Sequence, residues 1–170
     1  MYRKVKATLL GSLAALLLAA CTGEKAGAAG PAVAAASTDI PITTFKSATC
    51  GCCGKWVEHA RDNGFAVTAK NVDDLNAVKG QHGIAPRHQS CHTSVSAEGF
   101  VFEGHIPARY IRQFLQHPPA GARGLAVPAM PLGSPGMEVG DRFTPYAIML
   151  LHEDGSESVY AQIDSAEQQY

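Results

Sequence analysis

Thr49-Cys50-Gly51-Cys52-Cys53-Gly54 places three thiols within four residues. The run before it, Ile40 to Lys46, reads as a strand, and the run after it, Cys53 to Asn63, reads as a helix. Thiols at a strand-to-helix turn sit where free backbone N–H groups and the helix dipole favour negative charge. That raises the thiolate fraction, and the thiolate is the form that binds metal or attacks a disulfide. Gly51 and Gly54 let the backbone turn tightly there. Cys50 and Cys53 have the C-x-x-C spacing, short enough for a disulfide or a shared metal ion. Cys52 is a surplus thiol that a plain dithiol motif does not need.

The chain has 170 residues, 46% of them hydrophobic, enough for one ordinary core. Formal net charge is -1 and no basic patch stands out beyond the N-terminus, so nothing points to nucleic acid. Seven His, five Cys and four Met make it rich in metal-ligating side chains.

Residues 1–20 read as a targeting segment. Arg3, Lys4 and Lys6 form a basic region, and Leu9 to Ala20 form an apolar run of signal-peptide length, too short for a comfortable transmembrane helix. It ends Leu18-Ala19-Ala20-Cys21, which resembles a bacterial lipobox, with Cys21 as the lipidated residue. The plainer alternative is a secretory signal cut near Ala20. Thr22, not Asp, follows the Cys, and by resemblance this points to the outer membrane rather than the inner. Loss of three positive charges leaves 11 basic against 15 acidic residues, net -4, and four thiols in the folded part. Outside the cytoplasm such thiols oxidise unless they are recycled or held by metal.

Residues 21–38 are Ala/Gly-rich and read as a flexible tether, and a single domain is expected over 39–165. In the first helix Trp56, Val57 and Ala60 share a face, and Gly64 ends it. Phe65, Val67 and Ala69 alternate through a second strand. Asp73 or Asp74 caps a short helix through Lys79, with Leu75 and Val78 inward. Pro86 to Cys91 reads as irregular. Thr93–Ala97 and Phe100–Glu103 read as strands around Glu98-Gly99. Pro107 opens a helix carrying Tyr110, Ile111, Phe114 and Leu115, and Pro118-Pro119 closes it. Residues 119–145 show no period and read as one long loop, functional or disordered. Ala147–Leu151 and Ser158–Ile163 flank Glu153-Asp154-Gly155 as a terminal hairpin. Periodicity alone supports a small α/β domain. The order β-α-β-α-β-β-α, with C-x-x-C at the first strand-to-helix turn, resembles the thioredoxin fold, with an added C-terminal β-hairpin and a long Pro/Gly/Met loop.

In thioredoxin-like folds a cis-proline precedes the third strand and packs on the C-x-x-C motif. Here Ser90-Cys91-His92-Thr93 stands near that place. The resemblance therefore puts Cys91 beside Cys50 and Cys53. The alternative is a buried Cys acting as a small hydrophobe. His105, at the corner before the last helix, faces the thiol site in the related glutaredoxin-like arrangement; the alternative is an exposed turn residue. His92 neighbours Cys91 but points to the opposite face if the strand has begun there. His59, His82, His88, His117 and His152 read as ordinary surface residues. Met130 and Met137 lie in a Pro/Gly-rich loop with no evident core to fill. They are either soft donors suited to Cu(I) or loop residues tucked over the core. Met149 alternates with apolar neighbours and reads as core.

Cys50-Gly-Cys-Cys-Gly-Lys-Trp56, Ser90-Cys-His-Thr93, Glu103-Gly-His105 and Met130-Pro-Leu-Gly-Ser-Pro-Gly-Met137 together resemble the thioredoxin-like copper-resistance proteins of the CopG type, over about residues 40–163. The resemblance implies a periplasmic copper-binding protein whose clustered cysteines hold copper, with an oxidoreductase role as the alternative. The implied ligands are Cys50, Cys52, Cys53 and Cys91, joined by His105, Met130 and Met137 as candidates. Implied partners are copper ions and other periplasmic copper-handling proteins, with the membrane met only through a lipid anchor. Soft, closely spaced thiolates independently favour Cu(I) over hard cations. Structural zinc sites usually separate two ligand pairs in sequence, and three thiols in four residues are cramped for one tetrahedral ion. The runner-up is a thiol–disulfide oxidoreductase with Cys50 as nucleophile and Cys53 as resolving thiol, and a copper-redox enzyme that uses both properties is the third reading.

Overall fold

A computed structural model describes residues 39–170. The signal segment, the Ala/Gly tether and the lipidation site expected at Cys21 lie outside the described residues. The chain runs β1 (Ile40–Lys46), α1 (Gly51–Asp62), β2 (Phe65–Asn71), α2 (Leu75–Gln81), β3 (His92–Ser96), β4 (Val101–Glu103), α3 (Ala108–Gln116), β5 (Ala122–Ala126), β6 (Tyr146–His152) and β7 (Glu157–Ile163). Short 3-10 turns occupy Pro86–His88 and Ala166–Gln169. All seven strands form one mixed sheet in the order β2-β1-β3-β4-β5-β6-β7.

Side chains alternate across a strand, so neighbouring residues feed opposite faces. Phe102, Leu125 and Leu150 join the larger core with Trp56, Val57 and Ala60 of α1 and Ile111 and Phe114 of α3. Val101, Ala126 and Leu151 feed a smaller cluster with Ile84, against which Met149 packs. Helices α1 and α3 thus cover the same face. Full burial of a side chain such as Phe102 or Phe114 contributes about 1.5–3 kcal/mol.

Three expectations need correction. The stretch 119–145 is not all loop: Ala122–Ala126 is a strand between β4 and β6, parallel to the first and antiparallel to the second. At Gly124 the neighbouring backbone is too close for a side chain. A Cβ on Gly124 would run into the Val101 carbonyl. Strand character here comes from two neighbours, which apolar periodicity does not report. In α2, Leu75 and Val78 are only half-buried, and the buried side chain is Lys79. Third, His88 is not a surface residue: it is buried and meets the Glu157 carboxylate. The packed chain also runs past residue 165. Gln169 is buried, accepting the Tyr146 hydroxyl at 2.6 Å and donating to the Gly133 carbonyl at 3.0 Å.

Candidate metal centre

Strand register decides where the thiols meet. β1 and β3 are antiparallel neighbours with Lys46 opposite His92. Cys91, one residue before His92, therefore stands at the end of β1 where the chain turns into α1. That helix begins at Gly51 with Cys50 as its N-cap, so Cys52 and Cys53 both lie in its first turn, two residues earlier than periodicity suggests. The Gly54 N–H donates to the Cys50 carbonyl at 3.2 Å.

One sulfur from each of Cys50, Cys52, Cys53 and Cys91 lies within 4.8 Å of the others. Cys50 and Cys53 are joined by a disulfide, and Cys52 and Cys91 are free thiols. Cys52 Sγ stands 3.5 Å from Cys50 Sγ and 3.8 Å from Cys91 Sγ. Cys53 is fully buried, its sulfur 3.4 Å from the Cys91 carbonyl oxygen, while the other three are half-buried. Cys91 lies outside the helix, in the bend before β3. Burial first, and the adjoining Cys52 second, push its thiol up to about 12. A thiol held protonated in this way must release its proton to become a metal ligand.

His105 faces this cluster. Its Nδ1–H donates to the Pro135 carbonyl at 2.7 Å, which fixes the tautomer and leaves the Nε2 lone pair 2.9 Å from Cys91 Sγ. A ring N–H tied to a carbonyl is the usual second contact of a metal-ligating histidine. Burial lowers the His105 pKa, against the opposing pull of the Pro135 carbonyl and Glu138.

His92 does not point away from the thiols as strand alternation implied. Its Nδ1 is 3.4 Å from Cys91 Sγ, and Cys91, His92 and His105 form a second group of clustered donors. The strand begins at His92 while Cys91 is still in the preceding bend, so alternation does not extend across that boundary. The ring is fully buried, with centroids 4.5 Å from Trp56 and 5.0 Å from His105. Its Nε2 has no hydrogen-bond partner. Burial, then the charges of His105 and Lys79, hold its pKa well below the ordinary value. Trp56 itself donates from Nε1 to the Ile106 carbonyl at 2.9 Å, which ties α1 to the corner bearing His105.

The Met130–Met137 segment passes over α1. Gly136 has φ +87°, and a Cβ there would lie 2.7 Å from the Cys52 carbonyl oxygen and 2.9 Å from the Trp56 nitrogen. At the other end the Ser90 hydroxyl donates to the Ala129 carbonyl, and the Ala129 N–H donates to the Gln89 carbonyl at 3.0 Å. Met130 is 49% exposed and Met137 half-buried, each one residue from backbone that touches the thiol-bearing segments. Of the remaining histidines, His117 is exposed and His82 and His152 are half-buried. His59 accepts the Ala108 N–H at 3.1 Å, satisfying the first amide of α3.

The fold and this site define a mixed α/β protein with a cysteine–histidine cluster fit for a metal ion. Residues 88–137 match the family described as "Protein of unknown function, DUF411". Two solved structures, named "Copper resistance protein copG- Form 2" and "Copper resistance protein copG- Form 1", are each 42% identical to the chain with a TM-score of 0.69. The alignments cover 73% and 74% of this chain and 98% of each of those chains. No curated protein matches. The chain belongs to the CopG-type copper-resistance family.

Proposed function

We propose that this is an extracytoplasmic copper-binding protein that holds Cu(I) for copper resistance or homeostasis. The observation that carries the reading is the meeting of four sulfurs within 4.8 Å, with the His105 Nε2 lone pair turned onto one of them. Thiolate and imidazole donors suit Cu(I). Cys50, Cys52, Cys53 and Cys91 are the proposed thiolate ligands. His105 is an additional ligand, with Met130 and Met137 as donors from the covering loop.

Loading all four thiols requires the Cys50–Cys53 disulfide to take up two electrons and two protons from a thiol reductant. That requirement gives the second reading its support: a dithiol oxidoreductase, with Cys52 Sγ already 3.5 Å from the disulfide. We read the β2-β1-β3-β4 part of the sheet, with α1 and α3 on one face, as thioredoxin-like, extended by β5 and by a β6–β7 hairpin. The lipobox ending at Cys21 supports a periplasmic domain anchored to the outer membrane, within reach of other copper-handling proteins.

The test is elemental analysis with thiol counting on anaerobically purified protein, before and after reduction. Copper rising on reduction while four thiols become protected is the expected result. Equal copper in both states would remove Cys50 and Cys53 from the ligand set. Disulfide exchange by metal-stripped protein would then favour the oxidoreductase.

A further inference from the structure

A charge docks α2 to the sheet. Lys79, the buried side chain of that helix, is only 2% exposed. Its Nζ meets the Glu103 carboxylate and donates to Thr93 Oγ1 at 3.1 Å. Glu103 is fully buried at the end of β4. Its Oε1 also accepts the backbone N–H of Ser90 at 2.6 Å, and its Oε2 accepts the Thr93 hydroxyl at 2.6 Å. Three donors therefore converge on one carboxylate, as a buried charge requires.

The three members of this network outside α2 lie beside the candidate metal centre. Ser90 precedes Cys91, Thr93 follows His92, and Glu103 lies two residues before His105. The backbone repeats the link: the Gly104 N–H donates to the His92 carbonyl at 3.0 Å, and the Val127 N–H to the Glu103 carbonyl at 2.9 Å. An apolar pair of similar volume can dock a helix as well as a buried ion pair does. It cannot accept the Ser90 N–H or the Thr93 hydroxyl, and those two bonds restrain the segment that carries Cys91.

We propose that Lys79 and Glu103 are positioning residues for the metal centre. Glu103 holds the Ser90–Thr93 segment so that Cys91 Sγ faces His105 Nε2, and Lys79 neutralises the carboxylate that does so. The proposal rests on the Cu(I) reading for its ligand, but the positioning itself is measurable without metal.

The test uses the full chain with the double substitution Lys79→Met/Glu103→Leu, which removes both charges together, alongside Thr93→Val and Thr93→Ser. Reduced, metal-free protein is alkylated with iodoacetamide and Cys91 is followed by mass spectrometry. Cu(I) affinity is measured by anaerobic competition, and Cu(I)–thiolate emission is recorded. In the folded double variant Cys91 should react at least about tenfold faster and Cu(I) affinity should fall by about tenfold or more, the range for losing an outer-shell partner. Emission should shift. Thr93→Val should move in the same direction, while Thr93→Ser, which keeps the hydroxyl, should match wild type. A folded double variant with wild-type alkylation and affinity overturns the proposal. If the double variant does not fold, identical behaviour of Thr93→Val and Thr93→Ser overturns it, and a difference between them upholds it. A wild type that binds no Cu(I) while the alkylation rates still differ sinks the copper reading and leaves the positioning in place.

Discussion

Cys91 Sγ and His105 Nε2 lie 2.9 Å apart across the β3–β4 pair. Thr93 is opposite Glu103 in that pair, so carrying the register two residues on, past the ends of both strands, brings residues 91 and 105 face to face. The contact is a product of register, and Pro135 keeps the ring turned toward the sulfur.

If these two groups hold one ion, their losses should not add. Cys91→Ser and His105→Ala should each weaken Cu(I) binding, and the second change should cost less once the first is made. An anaerobic competition titration over the double-mutant cycle checks this. Strictly additive losses would mean that they serve different ions.

The loop methionines make a separate test. Replacing Met130 and Met137 with Leu together should weaken Cu(I) binding while costing the fold less than about 1.5 kcal/mol, because the volumes are nearly conserved. Titration paired with thermal melting separates the two effects. Unchanged affinity returns both residues to packing over the centre.

Gly136 should be hard to replace. Its positive φ disfavours any side chain, and a Cβ would press on the first turn of α1 at Cys52 and Trp56. Gly136→Ala should destabilise the protein by about 1–3 kcal/mol, the cost of forcing a non-Gly residue into that backbone region. Denaturant melts of metal-free protein read the loss. A midpoint equal to wild type would show that the loop moves freely over the helix.

Acid should weaken the metal-free fold through its buried imidazoles. His92 has its pKa held well below 6.5, chiefly by burial, and His59 and His105 are shifted the same way. Below 6.5 the unfolded chain binds protons that the folded one refuses. The stabilising contribution is therefore full above that value and is lost as pH falls toward the folded pKa values. Melting temperature should drop progressively below about pH 6.5, and His92→Phe should flatten part of the slope. An unchanged slope in that variant would remove His92 from the effect.

Cys21→Ser should release the protein from membranes or block its processing. Fractionation with mass analysis of the mature N-terminus reads both. A soluble wild type with no lipid on Cys21 would contradict the anchor.

The thiol motif was legible in the sequence because a strand-to-helix turn is a local event, written in neighbouring residues from Ile40 to Asn63. Cys91 and His105 were reachable too, but only by way of a family resemblance, since nothing within a few residues of either names its partner. Tertiary structure alone decided the rest. Spacing allowed Cys50 and Cys53 either a disulfide or an ion, and the structure shows the disulfide. Alternation turned His92 outward, yet the strand edge falls between it and Cys91, and the ring packs inward on Trp56. Ala122–Ala126 has too little apolar pattern to announce a strand, and it becomes one because β4 and β6 satisfy its backbone from both sides. His88 looked like a surface residue, and nothing in the sequence marked Lys79 for burial, for the same underlying reason. The carboxylates that draw them inward, Glu103 and Glu157, are 24 and 69 residues away in the chain, and a buried charge or imidazole is stable only where the fold delivers such a partner.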